Sequence, residues 1–499
     1  MIDYDVVIIG GTPHGHYAAL TATSMRASVA LVETQPSYGY GSLRHYAISQ
    51  IARNMRSRNH SFPWGNTDLT NDTDIKDTSF LADSMSLSFA DQVVARAEEQ
   101  NSPIMLAAKG VDLVYGNGQF QSSPHLSFAT NERLLRARTY VIATGSHCII
   151  PNIPGLATAG FLTLENVWQN LSNQSREKQT ESISGNHTLP QDWVIMGGSI
   201  QSVEIAETLR YLGCQVTLIT PYAHILPSLD LEVAYLLQTQ LEAEGICVLT
   251  RTHITQVRCI DGKKWLQAGD KAIASDEILV ATPGKANIES LNLPGVGVKW
   301  HEDNRLMVNY KLQTTNHRIY ACGDVLGGFS CKNIANYEAK IAIKNALFFS
   351  RLKVDYLSLP WAVFTHPSVA QVGLTESLVQ KQYPQDKFIV LRQYYKTLVS
   401  AQIQDVTTGI CKLIVLRNGE ILGGSIFGSQ AGELINIIAL AIAHGIKVNQ
   451  LADLSLVYPS FSEILQQTSE LWQQLKFNHH TCWQEFIDDF FLFRRNWKI

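Results

Sequence analysis

Close cysteine pairs are missing from this chain of 499 residues, although it contains eight cysteines. Even the two nearest, Cys322 and Cys331, are too far apart to form a C-x-x-C motif. Scattered cysteines in a long chain are mostly small buried hydrophobic residues. We therefore expect neither a disulfide scaffold nor a metal site.

Long hydrophobic runs and a strong net charge are also missing. The longest apolar stretch, around residues 434–446, is too short and too interrupted to cross a bilayer. The formal net charge of −4 excludes the strongly basic surface typical of proteins that bind nucleic acid. No secretory signal is recognisable near Met1, so we expect a cytoplasmic protein. The length suggests about three domains, of mixed α/β class.

One pattern of strand, tight turn, helix and strand occurs twice. In the first copy the apolar run Val6–Ile9 precedes the turn Gly10–Gly15. A second apolar run, Val29–Val32, ends at Glu33.

The second copy has the run Trp193–Met196 before the turn Gly197–Ser202. Its second strand, Val216–Ile219, ends at Thr220. The interval from the first glycine to the end of the second strand is the same in both copies, and chance rarely produces such agreement. Each copy therefore indicates a βαβ unit that binds a dinucleotide.

The turn residues suit a pyrophosphate. The leading glycines, Gly10 and Gly197, let the chain reverse, and the small residues Thr12 and Ser199 let the backbone approach the phosphates. The helix that follows offers free N–H groups and the positive end of its dipole. We expect His14 and His16, which flank the first turn, to be exposed.

The ends of the second strands differ between the copies. Glu33 can accept a hydrogen bond from a ribose hydroxyl, whereas Thr220 carries no charge. No arginine follows Thr220 directly to bind a 2′-phosphate, so the sequence leaves the choice between NADH and NADPH open.

With these motifs the chain resembles the class I pyridine nucleotide–disulfide oxidoreductases, and within them the branch of mercuric reductase and dihydrolipoamide dehydrogenase. The resemblance covers about residues 4–475. Further segments that carry it are Tyr140–Ser146, Ile319–Val325, Pro360–Pro367, Val372–Glu376, Gly423–Glu433 and Tyr458–Glu463.

The resemblance implies an α/β fold with two Rossmann-like domains and an α+β C-terminal dimerisation domain. The implied FAD domain is discontinuous and comprises residues 1–155 and 290–353. The NAD(P) domain would be residues 156–289 and the dimerisation domain residues 354–475, so a homodimer is expected.

The resemblance also implies the cofactor-binding residues. Those for FAD are Gly10, Gly11, Thr12, Pro13, Gly15, Glu33, Ser42, Thr144, Gly145, Gly323 and Asp324, with Asp324 at the ribityl chain. Those for NAD(P) are Gly197, Gly198, Ser199, Ser202, Glu204 and Thr220.

The redox-active cysteine pair of the family has no counterpart here. The family carries a Cys-x-x-x-x-Cys step, and in the matching segment Gly39–Ile48 its cysteine positions hold Ser42 and Ala47. Only a thiolate attacks a disulfide. We therefore expect no reduction of lipoamide, glutathione or mercuric ion by the family's route.

Two further positions near the chemistry differ. The family's lysine beside the flavin is matched by Ile51, which leaves its partner glutamate, Glu204, without the usual cation. The family's acid–base histidine is matched by Tyr458, a poor proton shuttle at neutral pH, while Glu463 remains. Glu204, Tyr458 and Glu463 are the candidate catalytic residues.

Hydride transfer from a nicotinamide to the flavin does not need the missing cysteines. The favoured hypothesis is an FAD-dependent NAD(P)H oxidoreductase whose acceptor is a quinone, a dye, oxygen or another nicotinamide. One alternative is a flavin-binding scaffold or redox sensor with little catalysis. A second is an enzyme in which Cys322 or Cys331 serves as the thiol.

The segment that replaces the disulfide has two interpretations. Arg44 and His45 could line the flavin and bind an anionic or quinone-like acceptor. Tyr40, Tyr46 and Tyr458 could instead fill the vacated volume.

The C-terminal extension, residues 476–499, is rich in aromatic residues. Trp483, Phe486, Phe490, Phe493 and Trp497 recur at spacings of three and four, which predicts one face of a helix. This helix could pack on its own dimer or dock on a partner or a membrane surface. Residues 53–76 and 170–191 are polar and are expected to be loops.

Overall fold

The computed structural model describes residues 2–33, 41–59, 75–173, 189–328, 330–478 and 481–497. Contacts between Cα atoms divide the chain into two compact units, residues 1–225 with 241–354 and residues 226–240 with 355–499. The finer division of the first unit into an FAD and an NAD(P) domain, with the boundaries given above, stays a prediction.

The helices of the described residues are α1 Pro13–Ser24, α2 Gly41–Asn59, α3 Ile75–Gln100, α4 Pro103–Ala108, α5 Leu156–Ala159, α6 at residues 167–173, α7 Ile200–Tyr211, α8 Leu231–Ala243, α9 Lys332–Leu347, α10 Glu376–Gln382, α11 Val399–Ile403, α12 Ala431–His444, α13 Val448–Ala452, α14 Glu463–Asn478 and α15 Thr481–Asn496. The strands are β1 Tyr4–Ile9, β2 Val29–Glu33, β3 Val111–Tyr115, β4 Gly118–Gln121, β5 Ser127–Thr130, β6 Leu134–Leu135, β7 Ala137–Ile142, β8 Ser146–Cys148, β9 Leu162–Thr163, β10 Asp192–Met196, β11 Gln215–Ile219, β12 Cys247–Leu249, β13 Ile254–Ile260, β14 Lys263–Ala268, β15 Lys271–Ser275, β16 Glu277–Val280, β17 Gly284–Ala286, β18 Ile319–Ala321, β19 Trp361–Val363, β20 Ser368–Gly373, β21 Phe388–Tyr394, β22 Ile410–Leu416 and β23 Ile421–Gly428.

A five-stranded parallel sheet in the first unit has the order β18-β7-β1-β2-β3. Strand β1 is central and carries an unbroken apolar run because both of its faces are covered. Val7 and Ile9 face one hydrophobic cluster, and Val6 and Ile8 face the other. The carboxyl end of β1 therefore opens at the middle of the sheet edge, where doubly wound folds bind ligands.

A second parallel sheet in the same unit repeats this topology, with the order β12-β11-β10-β16-β9. Strand β10 pairs with β11 and β16 as β1 pairs with β2 and β7. The internal repeat read from the sequence is thus a repeat of two doubly wound sheets, and the expected α/β fold is confirmed.

The expectation of two loops is wrong in part. Residues 53–59 continue α2 and residues 75–76 begin α3, while residues 60–74 lie outside the described part of the chain. Helix α2 extends because Ala52 is buried and Arg53 forms an ion pair with Glu207 of α7. In the second stretch, residues 170–173 belong to α6, which the buried side chain of Trp168 holds in place.

The second unit contains a five-stranded antiparallel sheet, with the order β19-β20-β23-β22-β21. Its core joins Leu413 of β22 to Ile438 of α12 and Leu465 of α14. The expected C-terminal helix is present as α15, whose Phe486 and Phe493 side chains are 57% and 60% exposed. No helix within the described ranges is both long and apolar enough to cross a bilayer.

Candidate functional site

The first nucleotide turn depends on two glycines. Gly10 has a φ of +126°, and a Cβ there would lie 2.3 Å from the carbonyl oxygen of Ala143. A Cβ on Gly11 would lie 2.8 Å from Cγ of Glu33. A side chain at either position would therefore collide with Ala143 or with Glu33 and distort the turn that a pyrophosphate has to approach.

Helix α1 begins directly after this turn. Oγ1 of Thr12 accepts a hydrogen bond from the N–H of Gly15 at 3.1 Å and donates one to the carbonyl of Ala143 at 2.9 Å. Pro13 takes the first helical position, where its missing N–H does no harm. A Cβ on Gly15 would lie 1.9 Å from the oxygen of Gly10, so helix and turn are in close contact. This N-terminus is placed to bind an anionic group.

Glu33 ends β2 and is buried beside His16. The Nε2 atom of His16 lies 2.5 Å from Oε1 of Glu33, and the two residues are 6% and 5% exposed. The expectation of an exposed His16 is wrong, because α1 turns this side chain inward onto the end of β2. His14 is half-buried, with Nδ1 3.1 Å from Oδ1 of Asn336. His16 thus orients the carboxylate that we predict to bind ribose.

Two neighbouring strands end beside this turn. Thr144 follows β7, and its Oγ1 atom is buried with no hydrogen-bond partner among the described residues. Gly145 follows with a φ of +71°. Because β1 and β7 are parallel neighbours, their carboxyl ends meet at one edge of the sheet. An orphaned buried hydroxyl at that edge fits a site that a polar cofactor completes.

The motif after β18 reaches the same edge. Gly323 has a φ of +78°, and its N–H donates to Oε2 of Glu338 at 2.7 Å. Asp324 lies in the 3₁₀ turn that follows, where its Oδ2 accepts from the hydroxyl of Ser330 at 3.1 Å. Cys322 is the N-cap of this turn. The role of Asp324 at the ribityl chain stays a prediction.

The second nucleotide turn has the same geometry as the first. Gly197 has a φ of +150°, and a Cβ there would lie 2.3 Å from the carbonyl oxygen of Ala281. Ser199 is the N-cap of α7, and its Oγ accepts from the N–H of Ser202. The hydroxyl of Ser202 donates to the carbonyl of Ser199 at 2.8 Å, so its small side chain is turned away from the cradle. Both cradles fit a dinucleotide.

Thr220 occupies the place that Glu33 has in the first copy. A Cβ on Gly198 would lie 2.9 Å from Oγ1 of Thr220, so this side chain closes the back of the turn. Thr220 is fully buried and neutral. The second site therefore has no carboxylate at the ribose position.

Glu204 of α7 is buried next to α2. Its side chain is 1% exposed, and its Oε2 atom lies 3.8 Å from Nε2 of His45. The ring of His45 stacks on Trp168 with 5.6 Å between centroids and 24° between planes. The structure thus brings together two residues that sequence reasoning treated separately.

Burial and neighbouring charges shift the pKa values of three side chains around Glu204. Burial, together with nearby Arg53, lowers the pKa of His45 to about 3. Burial and the neighbouring Glu204 raise the pKa of Tyr46 and raise that of Cys331 to about 12. The imidazole of His45, 3.8 Å from Glu204, is therefore neutral at neutral pH.

Arg53 and Glu207 form an ion pair that sequence reasoning missed. The guanidinium of Arg53 lies 3.3 Å from Oε2 of Glu207, whose side chain is 1% exposed. Glu207 follows Glu204 by three residues, and residues at that spacing share one face of a helix. This spacing was the signal available in the sequence.

Family models match the chain in two parts. The pyridine nucleotide–disulphide oxidoreductase model matches residues 4–342, and the model of that family's dimerisation domain matches residues 359–469. The chain belongs to the pyridine nucleotide–disulphide oxidoreductase family. Members use FAD and NAD(P)H, so the expected family and cofactors are confirmed.

Two relatives in this family are distant in sequence. Mercuric reductase of Staphylococcus aureus is 28% identical over 480 residues, 93% of this chain and 81% of the relative. Dihydrolipoyl dehydrogenase of Synechocystis sp. is 26% identical over 490 residues, 93% of this chain and 98% of the relative.

Two solved structures share the fold. The HOCl-induced flavoprotein disulfide reductase RclA from Escherichia coli has a TM-score of 0.76 at 22% identity, covering 94% of this chain and all 100% of its own. LpdA from Mycobacterium tuberculosis has a TM-score of 0.77 at 21% identity, covering 93% of this chain and 98% of its own.

In this oxidoreductase both positions that we match to the family's cysteines lie on helix α2. Ser42 is exposed and Ala47 is buried. Residues five apart on an α-helix differ by about 140° in direction, and their Cα atoms are about 8.7 Å apart. Disulfides need Cα atoms within about 7 Å, so this helical geometry does not suit a bridge. Gly39 and Tyr40, which precede the helix, lie outside the described residues.

The described cysteines of this oxidoreductase form no disulfide, namely Cys148, Cys214, Cys247, Cys259, Cys322, Cys331 and Cys411. Burial and Glu338 raise the pKa of Cys322. A raised pKa keeps sulfur protonated and weakly nucleophilic. No group of three or more His, Cys, Asp or Glu residues suited to a metal ion occurs in the described part of the chain.

The remaining catalytic candidates lie in the second unit. Tyr458 is 68% exposed in the single chain. Oε1 of Glu463 accepts a hydrogen bond from the N–H of Ser460 at 2.7 Å, at the start of α14. Glu463 thus acts as a helix-start carboxylate in this chain, and its catalytic role stays a prediction.

Proposed function

We propose that this oxidoreductase passes electrons from NAD(P)H through FAD to an acceptor other than a disulfide. The acceptor would be a small molecule such as a quinone, a dye, oxygen or another nicotinamide. Two features of the chain together carry the proposal. It has two nucleotide-binding turns, and its helix α2 has serine and alanine at the positions matched to the family's cysteines.

The two cradles support the nucleotide half of the proposal. Gly10 and Gly197 are constrained alike, each by a carbonyl oxygen 2.3 Å from the Cβ it lacks. The geometry that the two turns share would place one diphosphate at the start of α1 and another at the start of α7. When bound, the flavin supplies the chemistry by accepting a hydride from the nicotinamide and reducing the acceptor.

The residues on α2 support the acceptor half. Ser42 and Ala47 offer a hydroxyl and a methyl group, neither of which exchanges with a disulfide. His45 is buried, and its ring nitrogens have no hydrogen-bond partner within the described residues. A neutral imidazole can donate one hydrogen bond, and a quinone-like acceptor has carbonyl oxygens that can accept it.

An anaerobic titration tests the proposal. The purified protein should carry FAD, and NADH or NADPH should bleach the flavin absorbance within one equivalent. Reoxidation should then follow addition of a quinone, whereas oxidised lipoamide should leave the flavin reduced. Flavin that neither nicotinamide reduces would refute the enzymatic half, and rapid reoxidation by lipoamide would refute the acceptor.

The exposed face of α15 favours a second candidate function, a flavin-binding scaffold or sensor that docks a partner. Phe490, Phe493 and Trp497 are 47%, 60% and 66% exposed, which is unusual for aromatic side chains without a partner. Removal of residues 476–499 separates the candidates. Unchanged nicotinamide turnover together with lost partner capture supports docking, and turnover that falls with the deletion argues against it.

The rival in which Cys331 replaces the missing pair predicts sensitivity to alkylation. With a pKa raised to about 12, the thiol is protonated at neutral pH and should react slowly. Iodoacetamide treatment of the native protein should leave the rate of flavin reduction unchanged. A loss of that rate, prevented by Cys331→Ser, would restore the rival.

We further propose a homodimer, which the match of residues 359–469 to the family's dimerisation domain supports. Light scattering should give twice the chain mass of 55.5 kDa. A cytoplasmic location remains our expectation from the sequence, and cell fractionation tests it.

A further inference from the structure

The loop after β11 lies against the end of β12, its neighbour in the second parallel sheet of the first unit. The strands are parallel and in register, with Thr217 opposite Cys247 and Ile219 opposite Leu249. The N–H of Thr220 donates to the carbonyl of Leu249 at 2.9 Å. The residues that follow each strand therefore meet at the carboxyl edge, where a dinucleotide lays its adenosine half.

The backbone of Arg251 is held beside the residues that follow β11. Its N–H donates to the carbonyl of Tyr222 at 2.8 Å, and the N–H of Thr252 donates to the carbonyl of Thr220 at 3.1 Å. Arg251 also has a φ of +50°, a conformation that arginine rarely adopts unless its surroundings impose it. Two backbone hydrogen bonds thus fix residues 251–252 against residues 220–222.

The charges at this edge favour an anion. Arg251 is exposed, and it takes part in none of the ion pairs found among the described residues. It lines a cleft of about 340 Å³ together with His253, Asp270 and Lys271. Thr220 contributes no negative charge, and in the cleft the basic Arg251 and Lys271 outnumber the single carboxylate of Asp270.

We infer that Arg251 binds the 2′-phosphate of NADPH and gives this oxidoreductase a preference for NADPH over NADH. This inference rests on the proposed function and specifies its electron donor. The sequence hides it because the usual arginine directly after the second strand is missing, and here the residue comes from the next strand. Arginine suits the role because its planar guanidinium forms paired hydrogen bonds with phosphate oxygens.

Calorimetric titration of the full-length flavoprotein tests the inference without any turnover. The probes are 5′-AMP and adenosine 2′,5′-bisphosphate, which differ only in the 2′-phosphate. Wild type should bind the bisphosphate more tightly than AMP. Arg251→Gln should weaken bisphosphate binding by about 10- to 100-fold and leave AMP binding within about twofold, as expected for the loss of hydrogen bonds to a charged group.

Arg258→Gln is the matched control, since Arg258 is an exposed arginine on the neighbouring strand β13 and does not line the cleft. It should leave both dissociation constants unchanged. Arg251→Lys should give intermediate bisphosphate binding, because it keeps the charge and loses the paired hydrogen bonds.

Three outcomes would overturn the inference. These are tighter binding of AMP than of the bisphosphate by wild type, an equal loss of both ligands in Arg251→Gln, and binding of neither ligand. In each case flavin reduction by NADH would leave the proposed function standing, whereas flavin that no nicotinamide reduces would remove that function separately.

Discussion

The Nε2 atom of His45 lies 3.8 Å from Oε2 of Glu204, and both side chains are almost fully buried. Burial and the positive charge of Arg53 hold the pKa of His45 near 3, so the pair is not an ion pair at neutral pH. At neutral pH Glu204 therefore has a neutral imidazole as a close neighbour.

The buried His45 should make the protein acid-sensitive. In the unfolded chain histidine titrates near 6.5, so between pH 6.5 and 3 the unfolded state binds more protons than the folded state. The contribution of neutral His45 to the free energy of unfolding is fully present above pH 6.5 and is lost as the pH falls from 6.5 to 3. At pH 5 the free energy of unfolding should have fallen by about 2 kcal/mol from this cause.

His45→Phe should remove this part of the acid sensitivity while keeping a ring to stack on Trp168. Chemical unfolding at pH 7 and pH 5 measures it. The control is His317→Gln at an exposed position, which should behave as wild type. Equal losses of stability in wild type and His45→Phe would contradict a neutral, buried His45.

Restoring cysteines at the matched positions should not restore disulfide chemistry. Ser42→Cys combined with Ala47→Cys places two thiols five residues apart on α2, too far apart for a bridge without unwinding the helix. Thiol titration of the unfolded double variant should find two more free thiols than in wild type. Lipoamide reduction should stay absent; a charge-transfer band and lipoamide turnover would show that α2 rearranges.

The two nucleotide turns should fail separately. Gly10→Ala places a Cβ 2.3 Å from the carbonyl oxygen of Ala143, so the protein should be purified without FAD. Gly197→Ala should keep FAD and lose its reduction by nicotinamides, because its Cβ would lie 2.3 Å from the carbonyl oxygen of Ala281 and distort only the second turn.

Gly41→Ala serves as the control for both turns, since the nearest atom to its added Cβ is 3.9 Å away. It should keep the flavin and its reduction. Loss of FAD from Gly197→Ala would argue against two independent cradles. The measurements are flavin absorbance after purification and anaerobic reduction.

The buried cation Lys412 should dominate the stability of the second unit. Its Nζ lies 2.7 Å from Asp230, 2.9 Å from Glu232 and 2.7 Å from Glu376. Burial alone would lower the pKa of Lys412, but hydrogen bonds to Asp230 and Glu376 outweigh burial and raise it. The lysine is therefore charged, and it neutralises the buried carboxylate of Asp230, whose side chain is 1% exposed.

Lys412→Met should lower the free energy of unfolding by about 3 kcal/mol, because it leaves the buried carboxylate of Asp230 without its lysine. Arg392 still pairs with Glu232 and Glu376. Lys381→Met, at an exposed position on α10, should change it by less than about 0.5 kcal/mol. Calorimetric melting of both variants measures the difference, and equal melting temperatures would refute a structural role for the cluster.

The sequence by itself determined the two nucleotide cradles. A glycine-led turn between an apolar strand and a small-residue helix has few physical solutions, so Gly10 and Gly197 were identified from local pattern alone. The sequence alone also determined the family resemblance and the presence of serine and alanine at positions 42 and 47, because both depend only on which residue stands at each position.

Only the tertiary structure decided which distant residues meet. It placed Arg251 beside Thr220 through the pairing of β11 with β12, turned His16 inward onto Glu33, and set His45 against Glu204. These contacts depend on strand order, helix orientation and burial, which side-chain chemistry along the chain does not encode locally. For the same reason the pKa of His45 follows from the fold and not from its neighbours in sequence.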